Sequence, residues 1–511
     1  MKDILLGPIL GYEWDDSTST SYYTVVARIK KGVGNPAWTL NGETVPLTNI
    51  SGPLHDGSAI WRGELALKPF DEATGRTIDY RIKRRDNKLA NVCGDDHWRF
   101  HLPGKPSKKH QPRIAFCSCN GFSDPNAAKG MDPLALWKHF ESLNQNHGAE
   151  GAPYSLLLMG GDQLYCDNIA RQENSGFALW TWLQPGSRKK EVPTPAEFLK
   201  RYTDHYLLGW VGPAEHPHRA MINMMASVPS VMVWDDHDIY DGWGSYRAQE
   251  DDRPYHVQAF AAARQAYQWY QARGSNRSLI DRKVATPRHF SQGLSFGPYA
   301  ILMLDNRSQR TPTQIMSEKQ WQQVVSWGDA HADKGQTLLV VTPIPVVYRR
   351  FANWVSALPG EHGGEDDLLD HWNHQDHEGE RNKLIYHLFE WQRRYRRVML
   401  LSGDVHVGSL GFLENTETHQ EVAQIVASAI VHPAPTRMQW AGVCALSSDE
   451  DYSIRAQPVI AKMVRPQGAS DRFLVCRNFA WFFEGDDGKL WVNWECEDPK
   501  AGVRQVVTPI R

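Results

Sequence analysis

No charge of either sign dominates this 511-residue chain: 56 Lys and Arg stand against 59 Asp and Glu, a formal net charge of −3. Without a basic surplus, the sequence lacks the electrostatic footprint of a general nucleic-acid or anionic-membrane binder. Long apolar runs are missing too. The best uncharged stretch, residues 220–234, contains Asn223, Ser227, Pro229 and Ser230. It falls short of the about 20 apolar residues that a membrane-spanning helix needs. The amino-terminal MKDILLGPILGYEWDD has its apolar run broken by Gly7 and Pro8 and followed by acids, unlike an export leader. Cysteine is scarce: Cys93, Cys117, Cys119, Cys166, Cys444, Cys476 and Cys496. An odd number at irregular spacing argues against a disulfide framework and for a reducing compartment, so a cytoplasmic location is expected. Internal repeats are absent, and 41% hydrophobic with 23% charged residues is a globular rather than a disordered composition.

Tryptophan is abundant instead, at 20 residues, and a heavily aromatic core is the favoured reading over a ligand-stacking surface. In the first hundred residues Tyr23, Val25, Ala27 and Ile29 alternate with polar or smaller neighbours. Trp61 to Leu67 and Ile78 to Ile82 alternate in the same way. This period of two predicts an antiparallel β-sandwich domain over residues 1–105. The proline- and lysine-rich residues 106–112 read as a linker. Six short apolar runs come next: 114–117, 155–159, 230–234, 299–304, 337–341 and 398–402. Runs of this kind suit strands buried on both faces. Helical spacing links Phe260, Ala263, Tyr267 and Tyr270, and Ser317 with Gln320 makes a capping-box pattern before Trp321. Near the end, 479–484 and 489–495 flank Gly485-Asp486-Asp487-Gly488, a hairpin. Strands alternating with helices over residues 113–511 predict a layered α/β domain.

In such domains ligands gather beyond the carboxyl ends of strands. Five of the six runs deliver chemistry there: Cys117-Ser118-Cys119-Asn120, Gly161-Asp162-Gln163-Leu164-Tyr165, Trp234-Asp235-Asp236-His237-Asp238, Leu304-Asp305-Asn306-Arg307 and Gly403-Asp404-Val405-His406. Asp, His, Tyr and Cys are metal ligands, and Arg grips phosphate bidentately. A glycine before Asp162 and before Asp404 lets each backbone turn sharply. One such residue is ordinarily a cap or a satisfied core group; convergence of five points to a site.

These motifs, in this order, resemble the PhoD-like alkaline phosphatase/phosphodiesterase family within the calcineurin-like metallophosphoesterases. The resemblance extends to a β-domain ahead of the catalytic domain and to a segment with Asp370, Trp372, Glu380 and Arg381. It implies a four-layer α/β/β/α catalytic domain with a dinuclear metal site. Asp162 would bridge two ions. Cys119, Tyr165 and His406 would complete one, and Asp236 with Asp404 the other. Classical metallophosphoesterases place Asp-x-His where this chain has Cys119, Asn-His where it has Asp236-His237, and a further His where it has Thr342-Pro343. An oxygen-only second site suits a hard ion, Ca²⁺, Mg²⁺ or Mn²⁺. The first set suits iron, Fe³⁺ as the resemblance implies. His237 would protonate the leaving oxygen, and Arg307 would clamp the phosphoryl oxygens.

The expected activity is hydrolysis of small-molecule, lipid or nucleotide phosphate mono- or diesters, with no stable nucleic-acid partner and no membrane span. The competing reading is a binding protein that uses the β-sandwich and carries an inactive catalytic fold. Residues 360–381, rich in His and acids, are expected to form a lid. Asp235, Asp238 and Asp241 are expected to support the site or its turns, Cys117 and Cys166 to pack in the core, and Arg310 to be a second possible phosphate contact.

Overall fold

All six apolar runs become strands, because each is buried on both faces. In the computed structural model, Arg113–Cys117, Tyr154–Gly160 and Ser230–Val233 run parallel in one sheet. Tyr299–Met303, Thr337–Val341 and Arg397–Ser402 run parallel in a second. The structure describes residues 2–511 except 70–73, 86, 106, 108–109, 124, 147–152, 168, 170–192, 246–253, 283–286, 352–370, 499 and 501. Strand periodicity divides the second sheet's side chains between two cores. Ile301, Met303, Leu339, Val341, Met399 and Leu401 join the core that also contains the first sheet. Ala300, Leu302, Leu338, Val340, Val398 and Leu400 join a core with the helices Glu318–His331 and Glu378–Gln392. The helices Pro195–Tyr206, Arg219–Ser227 and Pro254–Tyr270 contribute to the first core. The result is the expected α/β/β/α layering. Each fully buried Leu, Ile or Val contributes roughly 1.5–3 kcal/mol relative to exposure. Trp137, Trp210, Trp234, Trp321, Trp372, Trp391 and Trp494 are among the largest fully buried side chains, in keeping with an aromatic core. Among the described residues no helix is long and apolar enough to cross a membrane.

The first hundred residues form two antiparallel leaves. One contains Ile4–Asp15, Thr20–Ile29 and Ala59–Ala66; the other contains Ala37–Leu40, Arg76–Arg84 and Trp98–Leu102. The leaves face each other at Gly63, where an added Cβ would meet Leu47, Trp38 and Val25. The sandwich is therefore present, but its first leaf is not separate from the α/β layers. Ile4–Asp15 pairs in parallel with Ser230–Val233, Gly11 opposite Ser230, so this leaf continues the ten-stranded catalytic sheet. The alternation in Thr20–Ile29 is accordingly buried on both sides, Thr24 and Arg28 included. The buried Arg28 guanidinium donates to Ser58 Oγ, Asp56 and the Thr203 carbonyl of the Pro195–Tyr206 helix. Gly11 is needed at the junction, because a Cβ there would lie 1.9 Å from Arg273 Nε.

At the sheet's other edge the expected hairpin forms from Asn478–Glu484 and Leu490–Asp498 and pairs with Arg113–Cys117. Ser317 caps its helix by accepting from Gln320 N at 3.3 Å. The reciprocal half of the box is not made. The Gln320 side chain instead donates to Asp305 O at 2.7 Å and Ser291 Oγ at 3.0 Å, bracing the turn that carries Arg307.

The described part of the expected lid, residues 371–381, is packed rather than loose. Trp372 is fully buried and donates to Thr342 Oγ1, and Glu380 accepts from the Ile315 and Met316 backbones. Buried Arg381 holds the Val346 carbonyl. Asp370 and His362 lie outside the described residues.

Candidate metal centre

The strand ends of both sheets bring the predicted residues together. Two groups of potential ligand atoms form, each with its members within 4.8 Å of one another: Asp162, Asp236 and His237, and Asp162, Asp235 and Asp404. Asp162 is common to both. Its Oδ2 faces Cys119 Sγ at 3.4 Å and the Tyr165 hydroxyl at 3.5 Å, and that hydroxyl lies 3.2 Å from His406 Nε2. Cys119, Asp162, Tyr165, Asp236, Asp404 and His406 thus cluster with His237. Asp235, expected only to support the turn, stands among them, 1% exposed.

The local backbone explains the convergence. Eleven non-glycine residues of the described chain have positive φ, and four are candidate ligands: Cys119 (55°), Asp162 (53°), Asp404 (68°) and His406 (54°). Left-handed backbone costs free energy in non-glycine residues and concentrates at functional sites. Gly161, at φ 112°, makes the turn expected of it, and a Cβ there would lie 2.9 Å from Asp235 Cβ. Gly403 serves differently, since a Cβ would lie 2.3 Å from Ser118 Oγ; it permits close approach of the two sheets' loops. Backbone bonds Cys119 N to Gly161 O (3.2 Å) and Asn120 N to Asp162 O (2.7 Å) zip the first two loops together.

Electrostatics make the cluster incomplete by itself. Burial pushes the Asp162 carboxyl well above its ordinary range, and Asp235, Asp236 and Asp238 push it further while His237 opposes them. Among the described residues nothing hydrogen-bonds Asp162 Oδ1, a buried oxygen. A buried carboxylate oxygen without a donor is costly unless a cation meets it. The donor set therefore fits metal ions: four carboxylates, a thiol, a phenol and imidazoles around one orphaned oxygen.

Arg307 is drawn into this balance. Its guanidinium has no exposed surface; Nε pairs with Asp235, Nη2 donates to Asp236 Oδ1 at 3.2 Å, and Nη1 to Trp243 O at 3.0 Å. The arginine expected to reach for phosphate is spent on the carboxylates beside it. Asp238 is a brace, as expected: its carboxylate accepts from the backbones of Gln163, Leu164 and Asp235 and from Gln271 Nε2, with burial raising its pKa to about 7. Asp241 points a half-exposed side chain near His237 Nε2, at 4.0 Å. Cys117 and Cys166 are buried, as expected of core packing.

Comparison with known proteins agrees with these loops. Residues 114–339 match the PhoD-like phosphatase family. The PhoD-like stretch includes Cys119, Asp162, Tyr165, Asp236, His237 and Arg307, whereas Asp404 and His406 lie beyond it. An uncharacterized protein of Saccharomyces cerevisiae is 27% identical over 434 residues, covering 67% of this chain and 59% of that protein. The chain thus spans less than two thirds of this relative's length. The fold is similar to that of the purple acid phosphatase PPD1 from yellow lupin (Lupinus luteus) seeds. The TM-score is 0.51 at 11% identity, over 100% of this chain and 74% of that one.

Three residues around these loops escaped the sequence. Asp167, 5% exposed, accepts from or pairs with His237 Nδ1 at 2.7 Å and accepts from Asp241 N at 2.7 Å. It lies two positions past Tyr165, but the tetrapeptide pattern stops short of it. His432 stacks on His406, ring centroids 3.7 Å apart, and on Tyr165 at 5.4 Å; Tyr165 in turn stacks on His237 at 4.2 Å. Ser428 Oγ donates to Cys119 Sγ at 3.1 Å and accepts from His406 N at 3.1 Å. Neither has a signal in the sequence, because the 427–432 loop comes after a strand, Glu421–Val426, whose near-continuous burial marks only itself.

Proposed function

We propose that this chain is a metal-dependent phosphoesterase that hydrolyses phosphate mono- or diesters at a two-ion centre bridged by Asp162. The observation that carries the reading is the convergence on Asp162: two groups of potential ligands share it, Cys119 Sγ and the Tyr165 hydroxyl lie 3.4 and 3.5 Å from its Oδ2, and its Oδ1 meets no hydrogen-bond donor among the described residues. Cys119, Tyr165 and His406 would hold one ion; thiolate, phenolate and imidazole together suit Fe³⁺. Asp236 and Asp404, joined by Asp235, would hold the other, and an all-oxygen set suits Ca²⁺, with Mg²⁺ or Mn²⁺ as substitutes. When bound, such ions make an attacking hydroxide available near neutral pH and offset charge on the phosphoryl oxygens.

The chain's own residues do the rest. Asp167 fixes the His237 ring through Nδ1. Nε2 is then the nitrogen from which a proton passes to the leaving oxygen. Arg307 acts through Asp235 and Asp236, holding both carboxylates in place, and is a positioning residue in this scheme. The seven free thiols support a cytoplasmic setting. Asp162→Ala tests the whole proposal: turnover of a chromogenic phosphate ester should be abolished, and metal analysis should show both ions depleted. Near-normal turnover would place the centre elsewhere.

A further inference from the structure

Beside the carboxylate cluster lies an open cleft of about 410 Å³ that the chemistry above does not use. One side is aromatic and apolar: Trp243 and Phe260 stack with centroids 4.8 Å apart and planes 5° from parallel, and Val257, 53% exposed, extends it. The facing wall is a polar turn. Thr311 and Gln314 exchange backbone hydrogen bonds of 2.8 and 3.2 Å, and Gln314 Nε2 donates to Gln309 O at 3.0 Å. Arg310 also lines the cleft, only 5% exposed. Its stem lies over Gly244, φ 87°, where a Cβ would come within 2.8 Å of Arg310 Cβ.

The cleft and the candidate centre share a wall. Arg307, which holds Asp235 and Asp236, accepts at its carbonyl from Trp243 Nε1 (3.3 Å) and Arg310 N (3.3 Å) and donates to Trp243 O. One residue, Arg307, thus touches both the carboxylates and the residues that line the cleft.

We propose that this cleft takes the organic group of the substrate, and that this group is nucleotide-like: a flat ring with hydrogen-bonding edges and an anionic oxygen. The aromatic pair matches a ring, which can stack or pack edge to face on it, the amide and hydroxyl rim matches its edges, and the guanidinium matches the oxygen. The volume is that of a site for a drug-sized ligand, typically about 300–1,000 Å³. The proposal rests on the phosphoesterase reading for the other half of the substrate.

Its test separates the two. In the full-length protein treated with a chelator, binding of adenosine 5′-monophosphate is measured by calorimetry for wild type, Thr311→Trp and Val257→Trp. Both substitutions are at exposed positions and put bulk into the cleft. Wild type should bind, and each variant should bind about tenfold or more weakly, the scale of pocket discrimination. No binding by wild type, or equal binding by all three, overturns the proposal. In the metal-loaded enzyme, the ratio of kcat/KM for a thymidine 5′-nitrophenyl diester to that for methyl nitrophenyl phosphate should fall in both variants. If neither ester is turned over while the nucleotide binds as expected, the phosphoesterase reading fails and the cleft stands. If both are turned over with a ratio the variants leave alone, the cleft falls and the phosphoesterase reading stands.

Discussion

Two unlike sets of donors meet at Asp162, and they are held by different forces. Cys119, Tyr165 and His406 are neutral when no cation is near: burial pushes the Cys119 thiol and the Tyr165 phenol up and pulls the His406 imidazole down. They are kept in place by stacking, His237 on Tyr165 and His432 on His406, and by the Ser428 hydroxyl. Asp235 and Asp236 are held instead by one buried cation, Arg307. The first side is a packing problem, which many small contacts solve. The second is a charge problem, in which Arg307 bonds both carboxylates while backbone N–H groups add one bond to Asp236 from Gly242 and one to Asp235 from Asp238.

The contrast breaks first at Arg307. Arg307→Ala leaves buried carboxylates without their cation, which should lower stability by about 3–5 kcal/mol in urea unfolding. If the variant instead stays stable, keeps its metals and loses only kcat/KM, Arg307 is a phosphate clamp after all. Asp167→Asn comes next. It leaves both donor sets intact but loosens His237, so kcat should drop about 10–100-fold with metal content retained. An unchanged kcat and pH profile would remove His237 from the proton path. On the packed side, Tyr165→Phe deletes one hydroxyl, worth about 1 kcal/mol of stability. Iron-loaded protein should also lose the visible band that a phenolate on ferric iron produces; a colourless wild-type enzyme would remove iron. The smallest effect is expected outside both sides. The Arg277 hydrogen bond, with the Arg62 charge, outweighs burial and lowers the Glu64 carboxyl from 4.5 to about 2. A depressed carboxyl contributes stability above its unfolded value and loses it as pH falls. Glu64→Gln should therefore lose this contribution at neutral pH, flatten the stability profile between pH 4.5 and about 2, and converge with wild type in acid. An unaltered acid profile would show that the pair contributes nothing.

The six central strands and the hairpin could be read from the sequence because continuous burial and turn glycines are local signals. The ligand loops could be read because each comes directly after such a strand. What could not be read depended on distant partners. The register of Gly11 with Ser230 joins positions far apart in the chain, and no period within Ile4–Asp15 announces it. Asp235 and Asp236 are adjacent in the chain and both enter the cluster, where the family resemblance implies only Asp236. The packing of Trp372 under Thr342 hides in a segment whose histidines and acids suggested solvent.

The pairing of Ile4–Asp15 with Ser230–Val233 also sets an order of assembly. The strand emerges before both of its partners during synthesis and can pair early with Thr20–Ile29, its antiparallel neighbour. Its parallel partner is made only after the loops of Cys119 and Asp162. Until then one edge of the early hairpin stays open, and exposed edges recruit other chains. The hydrogen bond from Ser230 Oγ to Leu10 O, 3.0 Å, forms only when that edge closes. Closure comes just before the chain supplies Asp235 and Asp236, so the amino-terminal hairpin serves as a template on which the carboxylate side is laid down.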